Sequence, residues 1–115
     1  MNISANDFNA QVLQNAGPVL VDFFGEHCMP CKLLKPFLQE LAQEQPNLKV
    51  CFFSTDIAPD EPQAETDAKF AVLGEYGVMG LPTLLLFNGG SLIAGSTGFM
   101  PKEQLLAWLA EHGVV

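Results

Sequence analysis

Two cysteines separated by two residues, Cys28-Met29-Pro30-Cys31, are the positions in this chain best suited to do chemistry. Thiols at that spacing can meet across one helical turn and close a small disulfide ring. They can also form half of a zinc site or lie inert in a core. Zinc needs two further ligands, and only Cys51, His27 and His112 remain as donors of the usual kind. Cys51 falls in a strand-like run and His112 at the far C-terminal end, which argues against a metal. A redox dithiol fits the local pattern better. An apolar run, Val19-Leu20-Val21-Asp22-Phe23-Phe24, leads into the pair, and helical spacing follows it. A helix N-terminus presents unpaired N–H groups and the positive end of the helix dipole, and both stabilise a thiolate. In that setting Cys28 is the exposed thiol and Cys31 is partly covered by its own helix.

The elements that must position this pair can be read from periodicity. Ser4, with Asp7 three residues on, reads as a helix start. Phe8, Val12 and Leu13 share one side of that helix, and Gly17-Pro18 stops it. The run 19–24 has the pattern of a strand buried on both faces. From Cys28 to Glu44, Leu33, Leu34, Phe37, Leu38 and Leu41 form a helical stripe, with a kink expected at Pro36. Leu48 to Ser54 is a second strand, and the acidic stretch from Asp56 to Thr66 is a loop. Glu65 to Tyr76 is a helix with Phe70, Leu73 and Tyr76 inward. Leu81 to Phe87 is a strand, Asn88-Gly89-Gly90 a hairpin turn, and Ser91 to Thr97 the returning strand. A last helix opens at Pro101, buries Leu105, Leu106, Trp108 and Leu109, and ends at Gly113. Alternation followed by a hairpin implies an α/β fold: a mixed sheet with helices on both faces.

Composition narrows the function classes. At 115 residues the chain is expected to be one domain, 1–115, large enough for its own core. Thirteen acidic side chains face five lysines and no arginine, for a formal net charge of −8. That disfavours nucleic acid and anionic membrane, which both need a basic footprint. Three cysteines are too few for a secreted disulfide scaffold. With neither a basic start nor a long apolar run, the expected compartment is the cytoplasm, or the periplasm if a leader had been removed.

The segment from Val19 to Lys32 resembles the active-site segment of the thioredoxin family. So do Pro36, Gly80-Leu81-Pro82-Thr83 with the strand after it, Gly89-Gly90, Gly98 and the last helix, in the right order over nearly the whole chain. The resemblance implies a central sheet of four to five strands flanked by helices, and a cis peptide before Pro82. It implies thiol–disulfide exchange, with Cys28 attacking a substrate disulfide and Cys31 resolving the mixed disulfide. Asp22 matches the family's buried acid; flanked by apolar residues, it is expected to be desolvated and suited to take the Cys31 proton. Substrate contacts are expected at His27, Met29, Pro30 and the backbone of Leu81, with Gly80 and Gly98 leaving room for an extended strand. No cofactor is expected. The implied partners are disulfide-containing proteins and a thioredoxin-reductase-like or other electron donor, with the chain itself a monomer.

The departures from the family pattern carry their own expectations. His27 stands where Trp is usual; it is either a partly exposed spacer or a group whose protonated form would favour a Cys28 thiolate. Met29 replaces the usual Gly and would widen an apolar contact surface. Phe52 stands where a Lys near the buried acid is common, and loss of that cation would push the Asp22 pKa further up. Only Met1 to Ile3 precede the first helix, so the opening strand should be missing or vestigial. A four-stranded sheet would leave Leu48 to Ser54 as an edge. The stretch from Asp56 to Glu75 carries six acids against Lys69, the pattern of a solvated face or a partner-recognition surface. Cys51 reads as an inert core thiol. Two other functions fit parts of the sequence. One is a dedicated reductase of a specialised electron chain, because Gly80 to Thr83 and Thr97 to Met100 also resemble the periplasmic domain of membrane reductant transporters. The other is a thioredoxin-like binding scaffold, which would have no need to keep Cys28, Cys31, Asp22 and Pro82 together.

Overall fold

The computed structural model describes residues 1–115. Five strands form one sheet: β1 (Asn2–Ile3), β2 (Pro18–Phe24), β3 (Lys49–Ser54), β4 (Thr83–Asn88) and β5 (Ser91–Thr97), in the order β1-β3-β2-β4-β5. The first three are mutually parallel, and β4 and β5 run antiparallel to their neighbours. Three α-helices, α1 (Met29–Glu44), α2 (Gln63–Glu75) and α3 (Lys102–Glu111), join two helical turns at Ala5–Asp7 and Asn9–Leu13. The layering is that of an α/β fold with a mixed sheet, as the alternation of elements implies.

The β2 run is apolar because both faces of the central strand are covered. Leu20 packs with Leu34, Leu38 and Leu41 of α1, and with Leu105 and Leu109 of α3. Val19, Val21 and Phe23 point the other way, onto Phe8, Val12 and the inner side of α2. The second face is largely aromatic, with Phe8 edge-on to Phe87 at 5.7 Å and Tyr76 edge-on to Phe87 at 5.3 Å. Offset and edge-on rings of this kind add modestly to area burial. The hairpin turn places Gly89 and Gly90 at φ +60° and +83° between paired Asn88 and Ser91, and a Cβ on Gly90 would lie 2.4 Å from the Leu13 carbonyl oxygen.

The opening strand is vestigial, as expected, at two residues, and it makes the sheet five-stranded. Other expectations are corrected. The Met1 amino group donates to the Val50 carbonyl at 2.8 Å and Phe52 N–H donates to Met1 O at 2.9 Å, so β3 is not an edge. Two residues carry no readable period; backbone hydrogen bonds and the burial of Ile3 in the core place them. Leu33 is 56% exposed, because the buried stripe of α1 runs through Cys31, Leu34, Leu38 and Leu41 and Leu33 lies off its side. Phe70 is also 56% exposed. The inward side of α2 carries Thr66 and Lys69 as well as Val72 and Leu73, with Tyr76 following at its C-cap. Thr66 donates to Glu61 at 2.5 Å, and Lys69 pairs with Glu61 at 2.8 Å. A stripe that begins with a satisfied polar network has a broken apolar period. At Pro36 the helix continues unbroken.

Candidate active site

Cys28 is the N-cap of α1, with extended backbone angles that turn the chain from the loop Gly25-Glu26-His27 into the helix. Its N–H donates to Gly25 O at 3.2 Å, and its sulfur accepts from the Cys31 N–H at 3.3 Å. That bond comes from one of the helix's unpaired first-turn donors. Any negative charge on Cys28 Sγ therefore meets both an N–H and the helix dipole. Pro30, in the first turn, lacks an N–H that the helix would not have used. The two cysteines are joined as a disulfide, with Cα atoms 5.2 Å apart. Cys31 is buried while Cys28 is half-buried.

Beneath the pair, β2 places Asp22, 1% exposed, on the face covered by α1. Neither carboxyl oxygen has a hydrogen-bond partner in the protein. Burial without compensating donors penalises the ionised form and pushes the Asp22 pKa up to about 7, while the Lys35 ammonium pulls it partly back. Asp22 and Cys31 line the same cavity of about 390 Å³, bordered by His27, Glu26, Lys32 and Lys35. Cys51 faces the opposite side of the sheet, among Phe23, Phe53 and Val21, where burial raises its thiol pKa. The sheet thus separates the third cysteine from the dithiol.

The opposite rim comes from the segment before β4. Leu81-Pro82 is cis and Pro82 is buried. Gly98 N–H donates to Pro82 O at 2.8 Å, and the Thr83 hydroxyl donates to Gly80 O at 2.6 Å, so Gly80, Pro82 and Gly98 form one connected corner. Gly98 has φ +103° and open space where a Cβ would be. At Gly80 a Cβ would press to 2.9 Å from the Thr97 methyl, so part of its need for glycine is internal packing. Leu81 reaches across to Gly25, whose Cβ would lie 3.2 Å from Leu81 Cδ1. The active-site loop and the Pro82 corner therefore touch. Met29 at 63% and Met79 at 97% exposure present apolar surface outward.

The thioredoxin family model matches residues 1–111. The chain belongs to the thioredoxin family. It is 40% identical over 110 residues to the thioredoxin of Pseudomonas aeruginosa, covering 95% of this chain and 92% of that protein. It is also 40% identical over 108 residues to the thioredoxin of Acidithiobacillus ferridurans, covering 93% and 90%. Thioredoxin f2 of Chlamydomonas reinhardtii superposes with a TM-score of 0.82 at 22% identity, over all of this chain and 97% of that one, and so shares the thioredoxin fold. Family membership together with the Cys28–Cys31 pair makes this chain a thiol–disulfide oxidoreductase of the protein-disulfide reductase type. Its substrates are disulfide-containing proteins, and neither the scaffold nor the dedicated-chain reading is favoured. No helix is long and apolar enough to cross a membrane.

Two residues that border this site are not legible as such in the sequence. Asp56 ties the loop after β3 to the active-site loop, because its carboxylate accepts the Glu26 N–H at 2.8 Å. In sequence it is merely the first acid of a charged stretch. Lys35 lines the Asp22 cavity from α1. Its signal was present, since it lies four residues after Cys31 and so on the same helix face, but it reads as an ordinary helix lysine.

Proposed function

We propose that Cys28 is the attacking thiolate, Cys31 the resolving thiol and Asp22 the proton acceptor of this protein-disulfide reductase, with all 115 residues working as one unit. The observation that carries the reading is the disulfide at the α1 N-terminus sharing a cavity with the orphaned Asp22 carboxyl. In the reduced protein, Cys28 Sγ attacks one sulfur of the substrate disulfide. A Cys28–substrate bond forms, the substrate S–S bond breaks, and one substrate thiolate leaves. Cys31 then gives its proton to Asp22 and attacks Cys28 Sγ. The intramolecular disulfide closes and the second substrate thiolate leaves, so two electrons pass to the substrate. Asp22 returns its proton through the cavity. Met29, Pro30 and the Leu81 backbone receive an extended substrate segment, with Pro82 shaping that rim and Gly80 and Gly98 keeping it open. The dithiol is regenerated by a partner dithiol protein, a thioredoxin-reductase-like donor.

Coupled turnover tests the reading as a whole. With NADPH and thioredoxin reductase, the wild type is expected to reduce insulin disulfides catalytically; no turnover with that donor would reject a general reductant of this type. His27 borders the cavity and is exposed. In its protonated form it favours the Cys28 thiolate, so His27→Ala should slow alkylation of reduced Cys28 by iodoacetamide at pH 6, by about twofold to threefold. Equal alkylation rates would remove His27 from the mechanism.

A further inference from the structure

Of the five lysines, Lys69 and Lys102 are committed to ion pairs with Glu61, Glu40 and Glu44, and Lys49 donates to Gln11. Lys35 is placed differently. Its Nζ lies 5.3 Å from the ring centroid of Phe24 and 5.3 Å from that of Phe52. Both distances are within cation–π range. The two rings come from adjacent strands, β2 and β3, and form a seat under the first turns of α1. Phe52 is the register partner of Asp22 on β3. The seat therefore holds the ammonium against the strand pair that carries the buried acid, and Lys35 lines the same cavity as Asp22 and Cys31.

We propose that Lys35 is a positioning residue of the dithiol site: seated on Phe24 and Phe52, its ammonium keeps the buried Asp22 carboxyl ionisable at the pH where Cys31 must lose its proton. The inference rests on the role assigned to Asp22 above. The other groups facing that carboxyl do not supply the same charge. On β3 and β4 its register partners are Phe52 and Leu84, both uncharged. Glu26, His27 and Lys32 border the same cavity but are exposed, so solvent screens their charges, whereas Lys35 is half-buried on its two rings. The direction agrees with the electrostatics at Asp22, where Lys35 opposes the upward push of burial. The chain thus places an aromatic residue at 52 and holds a cation in the neighbourhood from α1 instead, on the ring of that same residue.

Lys35→Met keeps an apolar stem on the rings and removes the charge, and Lys35→Arg keeps the charge. The Asp22 carboxyl is followed through pH by carbon-13 NMR, and insulin reduction is measured over the same range. In Lys35→Met the Asp22 midpoint should rise and the acid limb of activity should move with it. Turnover at pH 6 should fall about threefold, the change that half a pH unit makes in an ionised fraction, with the rate at pH 9 unchanged. Lys35→Arg should restore both curves. An Asp22 midpoint identical in wild type and Lys35→Met overturns the inference while leaving Asp22 its role. A midpoint that moves while the activity profile does not also overturns it. A wild-type pH profile in Asp22→Asn would instead reject the Asp22 reading itself.

Discussion

Asp22→Asn is expected to make the oxidised protein more stable than wild type by about 4 kcal/mol at pH 8 while losing that advantage at pH 3. In the unfolded chain the Asp22 carboxyl titrates near 3.8, whereas in the fold its pKa is pushed up to about 7. The folded state therefore binds more protons between those values, and stability falls as pH rises through the interval. Below 3.8 the acid is neutral in both states and costs nothing extra. Above 7 it is ionised in both, and folding must bury a charge that no hydrogen bond compensates. At about 1.36 kcal/mol per pH unit, the gap from 3.8 to about 7 amounts to about 4 kcal/mol. The amide has no such ionisation to suppress, so urea unfolding of the variant should lack this component of the pH dependence. Equal stabilities of variant and wild type at pH 8 would remove the raised carboxyl. The same change should slow the resolution of mixed disulfides by about a hundredfold near neutral pH, the lower end of what a positioned base contributes. Both outcomes together would mark Asp22 as an acid that costs stability and serves the chemistry.

Cys31→Ser should convert a turning-over reductase into a trap. The variant retains Cys28 at the α1 N-cap, so attack on a substrate disulfide proceeds, but no second thiol lies beside Cys28 to release the product. A covalent protein–substrate adduct should accumulate with one substrate bound per chain, resist denaturing electrophoresis and dissolve on adding dithiothreitol. Cys28→Ser should form no adduct, and its insulin reduction should fall to the uncatalysed rate. Cys51 cannot rescue either variant, because it is buried on the far side of the sheet. Repeated turnover by Cys31→Ser, or activity surviving in Cys28→Ser, would reverse the assigned order of the thiols.

Much of the architecture is legible where one local rule dominates. The β2 run shows its two-faced burial because no polar residue but Asp22 interrupts it. The hairpin at Gly89-Gly90 is set by backbone angles that other residues avoid. The pair at 28 and 31 needs only its spacing and the helix that follows. Legibility fails where several weak interactions share the work. The β1 pairing at Asn2 and Ile3 rests on a few backbone bonds to β3 and one buried side chain, Ile3. The inner side of α2 runs through Thr66 and Lys69, satisfied by Glu61, so an apolar stripe drawn through Phe70 points the wrong way. Leu33 shows the same limit, since helical spacing defines a stripe but not where the sheet beneath it ends.

By itself the sequence determined the dithiol, the strand-to-helix junction that holds it, the family pattern and the presence of one acid in an apolar strand. Those features depend on residues close together in the chain, whose geometry local backbone rules dictate. Only the tertiary structure decided what surrounds that acid. It brought Lys35 of α1 onto Phe24 and Phe52 of two strands, joined the Glu26 N–H to Asp56, linked Gly98 to Pro82, and put Cys51 behind the sheet. Each of these is a contact between segments remote in sequence. Charge effects act through space and burial, and neither is set until the chain has packed.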